Sequence, residues 1–185
     1  MAKVLVPLAQ GCEELEAVTI IDLLRRGQIT VITAGLEHQI SPVKASRGTT
    51  LLPDTTLDRA LESDYDMLVL PGGLPGADHL NNDDRIIRLI REMAAADKYT
   101  CAICAAPRAL ARAGVLEGKH ATSFPGTLDQ TDIPGMTYTA DAVTIDGKII
   151  TGRGPGTAMD FALTLLEALG GRTLKQQVEG PLLRT

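Results

Sequence analysis

Tryptophan is absent from this chain, and aromatic residues make up only 3% of its 185 positions. Aliphatic side chains must therefore build the core, and the stacking platforms that hold single-stranded nucleic acid are missing. Basic residues number 18 against 23 acidic ones, a net charge of -5, so there is no electrostatic footprint for a phosphate backbone and no specific nucleic-acid binding is expected. No window approaches the apolar length of a membrane span. The opening "MAKVLVPLAQGCEELEA" has neither the apolar stretch nor the cleavage site of a signal peptide. Three cysteines are an odd number for a chain of this size, which speaks against a disulfide scaffold and suits a reducing cytoplasm. Repeats, low-complexity tracts and Pro/Ser-rich linkers are lacking too. With 44% hydrophobic and 22% charged residues, residues 1–185 read as one compact domain.

What is present is alternation. Short β-branched runs take turns with longer helical patterns, as repeated β-α units do. "KVLVPL" (3–8) reads as a strand, "EELEAVTIIDLLRRG" (13–27) as a helix closed by glycine, and "ITVITA" (29–34) as a second strand. Residues 37–53 alternate poorly and suggest a small antiparallel excursion. "DMLVL" (66–70) is apolar throughout, as a strand buried on both faces would be. "PGGLPGA" breaks it, and "DDRIIRLIREMAAA" (83–96) gives an amphipathic helix with an acidic start. "YTCAI" (99–103) is the next buried strand, with a helix from about Pro107. "DAVTIDGKIITGR" (141–153) is a hairpin turning at Asp146-Gly147, and "GTAMDFALTLLEALGG" (156–171) a helix followed by a shorter one. The sum is a three-layer α/β sandwich around a mainly parallel sheet. Ligands collect at the carboxyl ends of such strands.

Cys104 sits at one of those ends, in "YTCAICAAPRALARAGVL" (99–116), where a buried strand stops and a helix starts. Hydrolases of the G-x-S-x-G type present a nucleophile at such an elbow. The turn needs small neighbours, which Ala105 and Ala106 supply, and Pro107 suits the first helical position. Unpaired N–H groups and the positive end of the helix dipole would face the sulfur. That environment lowers a thiol pKa, so a thiolate near neutral pH is expected. The competing reading is a small hydrophobe capping a core helix. Cys101 and Cys104 also spell C-x-x-C, but across an extended strand they lie roughly 10 Å apart at about 3.3 Å per residue. A disulfide needs Cα atoms within about 7 Å, so Cys101 is better read as a buried strand residue.

Two further features bear on the elbow. "PGG" (71–73) follows another buried strand, and glycines there allow close backbone approach with N–H groups free to face an anion. Two such corners in one sheet suggest an oxyanion pocket rather than plain βα turns. Glu16 has Ile20 and Leu23 at i+4 and i+7, so its stripe is apolar. Glu13 and Glu14 can favour the helix start in water, but Glu16 faces burial. An unpaired buried carboxyl keeps its proton and could shuttle protons beside a thiolate. A solvated first-turn acid is the competing reading.

Together these residues resemble the DJ-1/ThiJ/PfpI superfamily, in particular its DJ-1-like bacterial branch of the YajL/ThiJ type. "GCEELEAVTIIDLLRRG" resembles the family's first helix, "VLPGG" its glycine corner, "AICAAP" its cysteine elbow, and "GRGPGTAMDFAL" the segment beside the cysteine. The resemblance runs over nearly the whole chain and implies a flavodoxin-like fold with a nucleophile-elbow cysteine. It further implies Cys104 as nucleophile, Glu16 as its protonated partner, and the amides of Gly72, Gly73 and Ala105 as the oxyanion site. Arg47, Arg26, Phe124 and Pro155 would contact substrate, with Arg26 reaching over from the partner subunit of a homodimer. No cofactor or metal is implied.

The histidines depart from some relatives. Protease-like members place His directly after the nucleophile, where this chain has Ala105, and human-type members carry a pocket histidine where it has Phe124. His38 and His120 read as loop or strand-edge residues and His79 as a surface residue. A peptidase triad is therefore not expected, and a Cys-Glu dyad is. The implied activity is glyoxalase or deglycase chemistry on methylglyoxal or glycated adducts, in defence against oxidative and carbonyl stress. Two alternatives stay open: a redox-sensing stress protein or chaperone that uses an oxidisable cysteine, and a structural module with an inert thiol.

Overall fold

The computed structural model describes residues 2–184. Parallel β-α units dominate it. The strands are β1 (Lys3–Leu8), β2 (Thr30–Gly35), β3 (Val43–Lys44), β4 (Thr50–Leu51), β5 (Thr55–Thr56), β6 (Met67–Leu70), β7 (Tyr99–Ile103), β8 (His120–Ala121), β9 (Thr137–Tyr138), β10 (Val143–Asp146) and β11 (Ile149–Gly152). The helices are α1 (Glu14–Arg26), α2 (Leu57–Ala60), α3 (Gly76–Asn82), α4 (Asp84–Ala95), α5 (Pro107–Arg112) and α6 (Ala158–Glu179).

Seven strands form the central sheet in the order β10-β11-β7-β6-β1-β2-β5. All pairings in it are parallel except the β10–β11 hairpin at one edge. The excursion expected over residues 37–53 is the β3–β4 antiparallel pair. Helices α1 and α6 pack together on one face, and α3, α4 and α5 pack together on the other. This is the three-layer, flavodoxin-like α/β architecture.

The central strands are buried on both faces. Val4, Leu5, Val6, all of β6, and Cys101 to Ile103 are fully inaccessible, which is why they read as unbroken apolar runs. On α4, Ile86, Ile87, Ile90 and Met93 face inward, and the Asp83 carboxylate caps its start by accepting from Arg85 N–H at 2.9 Å. Topology then fixes where a site can form. The chain runs outward from β1 to β2 and returns to the other side of β1 with β6. That reversal opens a crevice at the carboxyl ends of β1 and β6, and β7 ends beside it.

Some boundaries differ from expectation for tertiary reasons. The "PGGLPGADHL" stretch holds the unforeseen α3, because Gly76 lies against the backbone of Cys12 and Ala77 N–H bonds to Gly73 C=O at 2.7 Å. Gly27 does end α1, yet its φ of -78° needs no glycine, and Gln28 takes the left-handed φ of 59°. Space favours Gly27 instead, since a Cβ there would lie 2.4 Å from the end of the Leu166 side chain on α6, which would have to turn away. The last helical segment starts at Ala158 after a 3-10 turn at Pro155–Thr157, and Gly171 (φ 80°, ψ 174°) breaks it before a shorter run.

Thr100, in the middle of β7, is fully buried and its hydroxyl has no hydrogen-bond partner. A buried hydroxyl without a partner has lost its hydration for nothing, and valine has nearly the same shape. Thr100→Val should therefore raise the unfolding free energy by about 1 kcal/mol, read from the urea midpoint at constant m-value. A lower midpoint would show that the hydroxyl is satisfied in solution.

Candidate functional site

Cys104 follows β7 directly and takes φ +63°, a left-handed conformation that costs a residue with a side chain on the order of 1 kcal/mol. The surroundings hold it there. Cys104 N–H donates to Gly152 C=O at 2.9 Å, its carbonyl accepts from Phe124 N–H at 2.8 Å, and Ala106 N–H bonds to Ile103 C=O at 3.0 Å. The side chain therefore projects from the strand line with 8% of the residue exposed. Cys12 and Cys101 are fully buried, and all three cysteines are free thiols.

Glu16 meets this elbow from α1. It lies on the buried stripe with Ile20 and Leu23 and is fully inaccessible. Its Oε2 accepts from Gly72 N–H at 2.8 Å, while Oε1 is buried with no hydrogen-bond partner. Gly72 is the spacer between the two groups. A Cβ there would lie 2.6 Å from Cys104 Cβ, 2.8 Å from Glu16 Oε2 and 2.9 Å from the Ile103 carbonyl. Gly73 needs its glycine as well, with φ +88° and a Cβ position 2.3 Å from Glu13 N.

The electrostatics differ from the sequence expectation. Burial pushes the Glu16 carboxyl up to about 7, against the pull of the Gly72 N–H and the Cys104 thiol. That agrees with an acid that retains its proton. Burial, reinforced by the facing Glu16 charge, also pushes the Cys104 thiol up to about 12. The N–H groups of Gly73 and Ala105 pull it down, but by less. Helix α5 contributes only six residues, and desolvation of a nearly enclosed sulfur outweighs two amide donors. The thiol is thus raised, where a lowered one was expected.

Between about 7 and about 12 the pair holds one proton and one negative charge between its two members. A proton on Oε1 turns that unpartnered oxygen into a donor. The charge is then left on the sulfur, facing the Gly73 and Ala105 amides. By those values the charge rests instead on the Glu16 carboxylate and the proton on the Cys104 sulfur above about 7.

Several other residues fall differently from expectation. The Gly72 N–H is taken by Glu16, which leaves Gly73 and Ala105 as the amides that face the sulfur. Glu13 is not a solvated helix-start acid; it is 8% exposed and accepts from the Ser46 hydroxyl at 2.7 Å. Glu14 accepts from the backbone N–H groups of Arg47 and Thr49, at 3.0 to 3.2 Å. These bonds dock the β3–β4 loop on the start of α1. The Arg47 side chain is 79% exposed, with Nε 4.0 Å from Glu13 Oε2.

Arg26 pairs with Asp22 at 2.6 Å and lies ten residues along α1 from Glu16, about 15 Å at 1.5 Å per residue. It does not reach the pocket of its own chain. Phe124 is half exposed, and its ring lies against Gly154, immediately before Pro155. The segment from Gly152 to Pro155 therefore does flank the elbow. His38 pairs with Asp58 at 3.1 Å, His120 with Asp146 at 3.3 Å, and His79 lines a separate cleft with Leu8, Gln10 and Arg85. Cys101 is sealed in β7, and burial raises its thiol. Burial likewise pushes Cys12 up to about 11. Gly152 and Ser46 are site-forming residues that sequence reasoning missed. A glycine ending the apolar run "IIT" was the available signal for the first.

The chain and its fold are similar to those of known proteins. The family model described as DJ-1/PfpI family matches residues 2–168. Protein DJ-1 homolog B of Arabidopsis thaliana is 41% identical over 97% of this chain, which spans only 41% of that relative's length. The glutathione-independent glyoxalase DJR-1.2 of Caenorhabditis elegans is 32% identical over 98% of the chain and 95% of its own. The crystal structure of Drosophila melanogaster DJ-1beta superposes with a TM-score of 0.93 at 39% identity, covering 100% of this chain and 98% of that one.

The raised Glu16 carboxyl makes stability depend on pH. The folded state holds this proton up to about 7, whereas a carboxyl of this kind free in water holds it only to 4.5. Stability from this group is therefore complete below about 4.5 and is lost as pH rises through about 7. The loss amounts to about 3 kcal/mol at one unit per 1.36 kcal/mol. In Glu16→Gln that component should vanish. Urea unfolding should show the variant gaining on wild type across this window; parallel curves would mean that Glu16 titrates normally.

Proposed function

We propose, from the premise that this chain belongs to the DJ-1/PfpI family, that it is a cofactor-independent glyoxalase-type enzyme converting dicarbonyls such as methylglyoxal to hydroxy acids. The observation that carries this reading is the juxtaposition of Cys104 and Glu16 across Gly72. The named glyoxalase among the relatives supports it.

The chemistry balances without a redox partner. The Cys104 sulfur adds to the aldehyde carbon, and the thiol proton ends on the former carbonyl oxygen, giving a hemithioacetal. Glu16 as carboxylate takes the proton from that carbon, leaving an enediolate whose remaining hydroxyl proton passes from the first oxygen to the second. The proton returned from Glu16 to the adjacent carbon then gives a thioester of the 2-hydroxy acid. Water cleaves the thioester, releases lactate and restores the thiol. Negative charge develops on oxygen at the addition and hydrolysis steps, and the Gly73 and Ala105 amides beside the sulfur would stabilise it. A carboxyl near 7 serves as both base and acid at neutral pH, where proton transfer is most efficient.

Glycated proteins come within the same proposal, because early adducts re-equilibrate with free dicarbonyl and its removal drains them. A homodimer fits the exposure of Leu15 and Val18 on the outer face of α1, 51% and 45% respectively, and would let Arg26 approach a partner's pocket. No helix among the described residues is long and apolar enough to cross a membrane, and three free thiols suit a cytoplasmic setting. A second reading, redox sensing, draws on Cys104 being less enclosed than Cys12 and Cys101, with 8% of the residue exposed against none of theirs. Peroxide would reach it first, and the same amides would hold a sulfinate.

Metal-free protein should form lactate from methylglyoxal, and Cys104→Ser should lose that activity. Retained turnover in the serine variant would overturn the scheme. Glu16→Gln should lower kcat by roughly a hundredfold to ten-thousandfold and remove the acid limb of kcat/KM near pH 7. Peroxide-dependent suppression of aggregation without any lactate would favour the sensor.

A further inference from the structure

Two amide donors that face one sulfur are carried by different segments, Gly73 on the loop after β6 and Ala105 on the elbow after β7. Outside the pocket these segments are tied together. The Gly73 carbonyl accepts from Ala77 N–H at 2.7 Å, which hangs the glycine loop on the first turn of α3. The Ala105 carbonyl accepts from Arg108 Nε at 3.1 Å. The same guanidinium donates through Nη1 to the carboxylate of Asp78 on α3. Helices α3 and α5 pack against each other, so contacts run without a gap from Gly73 through Ala77, Asp78 and Arg108 to Ala105.

We propose that Arg108 is a positioning residue whose guanidinium, anchored by Asp78, fixes the Ala105 carbonyl relative to the Gly73 carbonyl and so, through the neighbouring peptide planes of the same residues, aligns both N–H donors on Cys104. This rests on the reading of Cys104 as the nucleophile. Arginine suits the task because its planar fork can bond in two directions at once, which a lysine ammonium on a flexible stem does not reproduce. The side chains of Arg108 and Asp78 are 32% and 45% exposed, and pairs at such a rim add little to stability. Their effect is instead geometric. Donor alignment matters because a small misplacement near the reacting atoms is costly. Asp78 also balances the Arg108 charge, so the brace acts through position more than through its field.

The test uses Arg108→Ala, Arg108→Lys and Asp78→Asn. Iodoacetamide alkylation is followed as a function of pH on the peptide that contains Cys104, alongside methylglyoxal kinetics. Misaligned donors should slow alkylation at neutral pH about tenfold, move its midpoint upward, and lower kcat about tenfold with KM within about twofold. The lysine variant keeps the charge, so its falling with the other two marks alignment as the cause. A wild-type alkylation profile and kcat in both Arg108→Lys and Asp78→Asn would overturn the proposal, even if Arg108→Ala failed to fold. Wild-type protein that makes no lactate, with alkylation shifted in the variants, would sink the glyoxalase reading and leave this inference standing.

Discussion

A carboxyl and a thiol pressed against one side-chain-free residue, with little water reaching either, cannot both be charged. This constraint governs the site. Gly72 gives Glu16 and Cys104 their proximity, because any side chain there would occupy the space of Cys104 Cβ and Glu16 Oε2. Burial supplies the rest by raising both groups. The result is a one-charge pair, with the charge on Glu16 and the proton on Cys104 above about 7. A carboxyl poised near neutrality is suited to taking up and returning a proton.

The fold exists, as far as the site is concerned, to hold three strand ends together. β1 delivers the loop that starts α1 and so places Glu16. β6 delivers the two glycines, and β7 delivers the elbow. Because β1 lies next to β6 and β6 next to β7, their carboxyl ends are neighbours by topology. Backbone bonds across the ends then lock the arrangement, with Glu13 N–H to Gly72 C=O and Cys104 N–H to Gly152 C=O, each at 2.9 Å. The strain of a left-handed cysteine is carried by this scaffold, whose surrounding bonds over-determine the conformation.

Much of this was legible in the chain. β6 and β7 are unbroken apolar runs, and only a strand covered on both faces reads that way. Glu16 stands in helical register with Ile20 and Leu23, so burial was one of the two readings its spacing allowed, and the structure takes it. Cys104, between an apolar run and Ala-Ala-Pro, could be read as an elbow because small residues and an early proline have local consequences. The seven-residue α3 was not legible, since its glycines and proline read as loop. What makes it helical is contact with the β1–α1 loop, far away in sequence. Gly27 was read as a turn residue, whereas its missing side chain makes room for Leu166 across the helix pair.

Local periodicity thus determined the alternation of strand and helix and the sealing of the central strands, while the family resemblance singled out the acid and thiol that would face each other. Only the tertiary structure decided how those groups behave. It gave the Gly72 N–H to Glu16 instead of to an oxyanion. It raised the Cys104 thiol where the elbow alone would lower it, and it set Arg108 between Ala105 and Asp78. The reason is range. Propensity and register act within a few residues, whereas desolvation and the choice among hydrogen-bond partners depend on what the whole chain packs around an atom.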